Sequence, residues 1–269
     1  MPALDTASIS SSSSSAAHKS KAATTAGSGE LSKPKDKDTR DAQTQPIQTL
    51  ASAQAQVVRH LQPVLLVSLL LARFKALVAD PVSALSSALP VVVAVQVTYA
   101  VVCLPAVGSG AAKPARKPRP GEKKKAGGPE SAGPNIAVTT LVALILAALS
   151  TLPLHLLLVL FGAPFLAHAA RTLLCAAHLS LLALFPLFYA RGVSAPAWHE
   201  VLSASAPLDE GFGGLVGACA GGWLGAVPIP LDWDREWQRW PVTVVAGAYA
   251  GYLLGKGLGG TVALGKRFF

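Results

Sequence analysis

Two glycine ladders near the C-terminal end constrain this chain more than any other feature. In each ladder a glycine recurs at every fourth position of an apolar run, and a charged, tryptophan-rich segment separates the two runs. Residues four apart stack on one face of a helix, so each run presents a stripe without side chains. In lipid, such stripes let two helix backbones approach closely. We therefore expect a tight transmembrane hairpin over 211–260, although a ligand groove is an alternative use of the stripes. The predicted packing residues are Gly213, Gly217, Gly221 and Gly225 before the turn, and Gly247, Gly251, Gly255 and Gly259 after it.

The composition places this hairpin in a membrane protein. Hydrophobic residues make up 51% of the 269-residue chain and charged residues only 14%. Soluble domains rarely combine such values with apolar runs of about 20 residues. We predict an all-α, polytopic membrane protein with about six transmembrane helices. Cys103, Cys175 and Cys219 lie within apolar runs and are interpreted as small hydrophobic residues rather than as a disulfide framework.

Two polar segments divide the chain. Residues 1–56 begin with low-complexity sequence and are predicted to form a disordered cytosolic tail. Residues 57–107 supply the first two spans. Residues 108–135 form a basic linker rich in Pro and Gly, interpreted as solvated, with contact to anionic lipid headgroups as the alternative. Residues 136–269 supply the remaining spans. The net charge of +9 does not indicate nucleic acid, because the basic residues lack interleaved aromatics.

The segment between the ladders, PIPLDWDREWQRWP, is the candidate binding surface. Tryptophans can simply anchor a protein at the membrane interface. However, prolines stiffen both ends of this segment, and acids and bases alternate between its tryptophans, which a mere connector does not need. The acidic residues are too few for a dedicated metal site, and no nucleophile motif is present, so we predict no catalytic residue, metal or cofactor. The predicted partner-binding residues are Asp232, Trp233, Asp234, Arg235, Trp237, Trp240 and, upstream, His155.

Two motifs resemble the hallmarks of the PIG-F family. They are VPIPLDWDREWQRWP, preceded by GGWLGA, and LHLLLVLFGAP at 154–164. That family comprises multi-span endoplasmic reticulum proteins of glycosylphosphatidylinositol (GPI) anchor biosynthesis. The resemblance implies a non-catalytic subunit that binds and stabilises large GPI ethanolamine phosphate transferases acting on mannoses of the GPI precursor. An enzyme or lipid transporter that uses the loop itself is the alternative. Contact of the loop with membrane lipids or with the GPI precursor is left open.

The distribution of charge predicts the topology. With six spans, both termini and both basic segments lie on one side, which the positive-inside tendency identifies as the cytosol. The tryptophan-rich loop and the FGAP corner then face the lumen of the endoplasmic reticulum. His168 and Arg171 lie near that corner. Two interpretations are left open: they belong to a functional site, or the Arg171 side chain simply extends to the nearby membrane interface.

Overall fold

The structure is a computed structural model and describes residues 45–109 and 135–268. All regular secondary structure in these two ranges is helical, which confirms the predicted all-α class for the described residues. Residues 1–44 of the predicted disordered tail and residues 110–134 of the basic linker lie outside them, whereas residues 45–56 of that tail are described and include the first residues of a helix that begins at Ala53.

Seven α-helices are numbered here in chain order. They are α1 (Ala53–Ala79), α2 (Pro81–Cys103), α3 (Ile136–Leu160), α4 (Ala169–Arg191, with a π-helical turn over Ser180–Leu184), α5 (Ala195–Leu202), α6 (Glu210–Ala226) and α7 (Val242–Gly259). A 3-10 turn, Glu236–Gln238, lies in the loop between α6 and α7.

Within the described residues, four helices, α1 to α4, are long and apolar enough to cross a membrane. The sequence predicted about six spans. The difference concerns α6 and α7, which have 17 and 18 residues. Both are rich in glycine, which adds little hydropathy, and α7 contains Lys256.

Capping residues set the ends of the first two helices. The hydroxyl of Ser52 accepts a hydrogen bond from the Ala55 N–H at 3.1 Å, so α1 begins at Ala53 rather than at residue 57. Asp80 caps α2 by accepting from the Val82 N–H at 3.1 Å. Pro81 follows as the first helical residue, where its missing N–H has no cost. Asp80 alone therefore separates two antiparallel helices.

Helix α4 lies at the centre of the bundle. In its membrane-length window 61% of the residues are buried, whereas the corresponding share is 17% in both α1 and α3. The main core joins α4 to α1, α2, α6 and α7 through residues such as Leu66, Val92, Leu182 and Tyr252. Helix α3 packs from outside through Ala143 and Ala147.

The antiparallel helices give the bundle two distinct ends. The loop end holds residues 161–168, between α3 and α4, and residues 227–241, between α6 and α7. The terminal end holds residues 45–52, α5 and residues 260–268. There the Leu50 N–H donates to the Cys103 carbonyl at 2.8 Å, and Gly265 and Leu208 are joined by a 2.8 Å backbone bond.

Candidate functional site

The α6–α7 hairpin carries the loop on two helices whose backbones touch. A Cβ atom added to Gly217 would overlap the Gly251 carbonyl oxygen, and one added to Gly251 would overlap that of Gly217. Gly221 and Gly247 face each other in the same way. The structure thus places the ladder glycines along the contact between α6 and α7, where no side chain fits. The loop extends from a closely packed support.

Gln238 organises the loop. It is buried, and its side-chain amide donates to the carbonyls of Pro228 and Leu231, both at 2.8 Å. Its side-chain oxygen accepts from the Arg235 N–H at 2.8 Å. One amide therefore fixes three points of the loop backbone. Gln238 was not predicted from the sequence, where it is distinguished only as an uncharged polar residue within the run EWQRW.

Most of the predicted partner-binding residues form the exposed surface of this loop. The Trp233 and Trp237 side chains are 52% and 36% exposed, and their ring centroids lie 5.9 Å apart. Asp232, Asp234 and Arg235 are exposed beside them. The loop therefore presents a paired aromatic surface with charges of both signs at its edge.

Trp240 is turned inward instead. It is half-buried, and its indole N–H donates to the Thr172 hydroxyl near the start of α4 at 3.1 Å. This bond tethers the loop to the central helix, so Trp240 offers little surface to a partner.

His155 does not join the loop. It is half-buried on α3, and its Nδ1 has no hydrogen-bond partner. His168 is exposed at the start of α4 and Arg171 is half-buried. In the part of the chain that the structure describes, no three His, Cys, Asp or Glu side chains gather into a group that could hold a metal ion.

A second concentration of polar side chains lies within the bundle at the terminal end. Glu210, the first residue of α6, pairs with Arg59 of α1 and lies 3.6 Å from the Lys256 ammonium of α7. The Tyr99 hydroxyl donates to the same carboxylate at 2.6 Å. The Lys256 ammonium also lies 3.7 Å from the centroid of the Tyr99 ring.

Two glutamines extend this network across the bundle. The Gln62 amide donates to Gln96 Oε1 at 2.8 Å and to the Tyr252 hydroxyl at 2.9 Å, and its oxygen accepts from Lys256. The Gln96 amide reaches the Leu182 carbonyl, in the π-helical turn of α4, at 3.4 Å. We call this set the polar cluster: Arg59, Gln62, Gln96, Tyr99, Glu210, Tyr252 and Lys256.

The polar cluster was not predicted from the sequence. Its best signal was Gln62 and Gln96, which are polar residues inside long apolar runs and so are expected to face other protein groups. An adjoining ion pair, Arg191 with Asp209, links α4 to the start of α6 at 2.5 Å. Asp209 also accepts from the N–H groups of Phe212 and Ile47, at 2.8 and 3.1 Å.

Comparison with known proteins identifies similar chains. The family model described as GPI biosynthesis protein family Pig-F matches residues 61–260. A Neurospora crassa protein named glycosylphosphatidylinositol anchor biosynthesis protein 11 is 58% identical over 223 residues, covering 83% of this chain and 81% of that relative. An Aspergillus fumigatus protein of the same name is 40% identical over 239 residues, covering 78% and 80%.

A human protein is similar over a shorter region. It is named GPI ethanolamine phosphate transferase, stabilizing subunit, and is 37% identical over 111 residues, covering 40% of this chain and 51% of the human protein. No solved structure matches this chain.

Proposed function

Because the chain belongs to the PIG-F family of GPI biosynthesis proteins, we propose that it is a non-catalytic membrane subunit that binds and stabilises GPI ethanolamine phosphate transferases. These enzymes modify mannoses of the GPI precursor. The name of the human relative, a stabilising subunit, supports this role. The main structural support for this proposal is the exposed Trp233–Trp237 pair, which lies on a loop that Gln238 holds in place.

The proposed topology has six spans in the endoplasmic reticulum membrane, with α6 and α7 as the last two. At about 1.5 Å per residue, the helices of this hairpin are about 25 Å long, close to the hydrocarbon thickness of about 30 Å. In this orientation both termini are cytosolic and the loop is lumenal, which is supported by the many basic residues of the 108–135 linker. Arg73 and Lys75, near the loop end of α1, are exceptions to this tendency. A glycosylation acceptor inserted within residues 110–134 is expected to stay unmodified; its glycosylation would reverse the orientation.

The geometry of the loop favours docking. Tryptophan and arginine side chains contribute most to binding energy at protein interfaces. A loop already fixed by Gln238 loses little conformational freedom on binding, which lowers the cost of association. Trp233, Trp237 and Arg235 combine both properties. The Asp232 and Asp234 carboxylates, in contrast, are exposed, whereas electrostatic stabilisation of a transition state is strongest in a site that excludes water.

The test separates docking from catalysis. Trp233→Ala and Arg235→Ala are expected to lower the amount of the partner transferase, while Asp232→Asn, which keeps the shape of the side chain, has a milder effect. Trp223→Ala is the matched control, because Trp223 is also exposed but lies on α6 outside the loop. Transferase level and ethanolamine phosphate transfer are measured in the same membranes. An Asp232→Asn complex that is fully assembled but inactive would instead support the alternative that this chain is itself an enzyme and uses the loop carboxylates.

A further inference from the structure

The segment before α1 lies across the terminal end of the bundle. Residues 45–52 are not helical, and two of their N–H groups donate to distant parts of the chain. The Leu50 N–H donates to the carbonyl of Cys103, the last residue of α2, at 2.8 Å. The Ile47 N–H donates to the carboxylate of Asp209, directly before α6, at 3.1 Å. We call residues 45–52 the strap, because they join the end of α2 to the start of the α6–α7 hairpin.

The Asp209 carboxylate holds three segments at one point. Its side chain is buried, and its Oδ1 caps α6 by accepting from the Phe212 N–H. Its Oδ2 accepts from both the Arg191 guanidinium of α4 and the Ile47 N–H of the strap. A buried carboxylate is stable only when several donors replace its lost hydration. The strap therefore supplies part of the support on which the hairpin begins.

The polar cluster begins at the next residue. Glu210 follows Asp209 directly, is buried, and pairs with Arg59 of α1. The strap leads into the first turn of that same helix, where the Ala55 carbonyl accepts from the Cys103 thiol at 3.3 Å. Both Ala55 and Cys103 are buried. The strap and the first turn of α1 thus lie beside the terminal end of the polar cluster.

The strap is held less firmly than the helices around it. Its backbone is irregular, and the Gln45, Gln48 and Leu50 side chains are exposed. A backbone hydrogen bond makes a modest net contribution to stability, because groups that are released bond to water instead. Segments with exposed side chains and few buried apolar contacts open more readily than a core does. The strap can therefore open while the bundle remains folded.

We propose that the strap is a closure, which keeps water from the terminal end of the polar cluster and fixes the start of the hairpin. When it is closed, Ile47 and Leu50 bond to Asp209 and Cys103. When it opens, water replaces the Ile47 N–H at Asp209, and the first turn of α6 loosens. Residues 1–44 lead directly into the strap, so a factor that binds or modifies them acts on the hairpin through it. Only the assignment of this end to the cytosol rests on the proposed function.

Variants of the strap separate its hydrogen bond from its side chains. Leu50→Pro removes the N–H group that donates to Cys103, whereas Leu50→Ala keeps this group and shortens an exposed side chain. Gln48→Pro is the control for adding a proline to the strap. Gln48 is exposed, and its N–H makes no hydrogen bond within the described residues.

The native cysteines report whether the strap is open. Cys103 is 0% exposed, so a water-soluble maleimide reaches it only when this end of the bundle opens. The full chain is labelled in open membrane fragments, and each cysteine-containing peptide is quantified by mass spectrometry. Leu50→Pro is expected to raise the labelling rate of Cys103 about fivefold, the effect of one lost hydrogen bond on the open population. Leu50→Ala and Gln48→Pro should leave that rate unchanged. Cys175, buried in α4, should stay unlabelled in every variant.

Hydrogen exchange measures the link from the strap to the hairpin. The Phe212 N–H, which is bonded to Asp209, should exchange faster in Leu50→Pro than in Leu50→Ala. Amides in the middle of α7 should exchange equally in both variants, because opening of the strap leaves the bundle folded. The measurement uses the full chain in lipid nanodiscs.

Four outcomes would overturn the proposal. An unchanged labelling rate of Cys103 in Leu50→Pro would show that the strap does not close this end. An equal rise in Gln48→Pro would assign the effect to proline rather than to the lost hydrogen bond. Labelling of Cys175 would show that the bundle unfolds together with the strap. Faster labelling of Cys103 with unchanged exchange at Phe212 would show that the strap is not linked to the hairpin. None of these measurements involves a transferase or the orientation in the membrane, so failure of the proposed function is a separate result.

Discussion

The loop and the polar cluster lie at opposite ends of the same α6–α7 hairpin, and they use charged residues in opposite ways. In the loop, the Glu236–Arg239 pair has both side chains more than half exposed. In the polar cluster, the Glu210 side chain is 5% exposed and contacts groups from α1, α2 and α7. Exposed charges stay available to a partner, whereas buried ones bind the helices of the bundle to one another.

The polar cluster gives the hairpin a defined register against α1 and α2. Apolar side chains that pack in lipid can slide with little loss, but a buried hydrogen-bond network is satisfied in one arrangement only. Glu210, Gln62 and Lys256 each have partners on other helices. We infer that this network sets the position of the hairpin along α1 and α2. It thereby also sets how far the loop extends beyond these helices at the other end.

The largest effect is expected from breaking the link between these two regions. Gly251→Leu places a side chain where the Gly217 carbonyl lies, so α6 and α7 must separate along their whole contact. Gly257→Leu is the matched control, because Gly257 is on the same helix with open space around its Cβ position. We expect Gly251→Leu to lower the amounts of both this chain and its partner, measured by immunoblotting of membranes. Equal amounts in the two variants would contradict this.

The sequence predicted the parts of this arrangement that are periodic or locally concentrated. The spacing of Gly217 and Gly251 predicted a close hairpin because helical periodicity alone puts such residues on one face. Trp233, Trp237 and Trp240 were grouped together because they adjoin charges between prolines; the first two are exposed, whereas Trp240 is turned towards Thr172. These features depend only on neighbours in the chain.

The missed features depend on contacts between distant segments. Glu210 is the first residue of α6, directly after Asp209, and its neighbours in the sequence do not indicate that it contacts Arg59 and Lys256. Thr172 is an ordinary helical threonine until Trp240 is placed beside it. His155 was grouped with the loop through its motif, although its position on α3 gives it no bond to the loop. Such pairings follow from helix orientation, which a single sequence does not specify.

A smaller but still large effect is expected from the polar cluster. Glu210→Gln keeps the size of the side chain but leaves Arg59 and Lys256 without a counter-charge. Removing one partner of a buried ion pair costs about 3–5 kcal/mol. We expect a clearly lower melting temperature of the purified chain in detergent. Adding Arg59→Gln should recover part of the loss, since one unpaired cation is removed. A melting temperature equal to that of the parent would show that the cluster does not hold the bundle.

The smallest effect is expected from the matched change in the loop, Glu236→Gln. The Glu236 carboxylate meets Arg239 at 2.6 and 2.7 Å, but both side chains are exposed, and such pairs contribute about 0–1 kcal/mol. At physiological ionic strength, dissolved salt screens exposed charges with a Debye length of about 8 Å. A buried ion pair is screened much less than an exposed one. The same melting measurement at low and high salt therefore distinguishes the two glutamates. Any shift from Glu236→Gln should vanish at high salt, while the shift from Glu210→Gln should persist. If both variants lost the same stability and responded equally to salt, the exposed and buried charges would not play different parts, and the contrast between the two ends of the hairpin would fail.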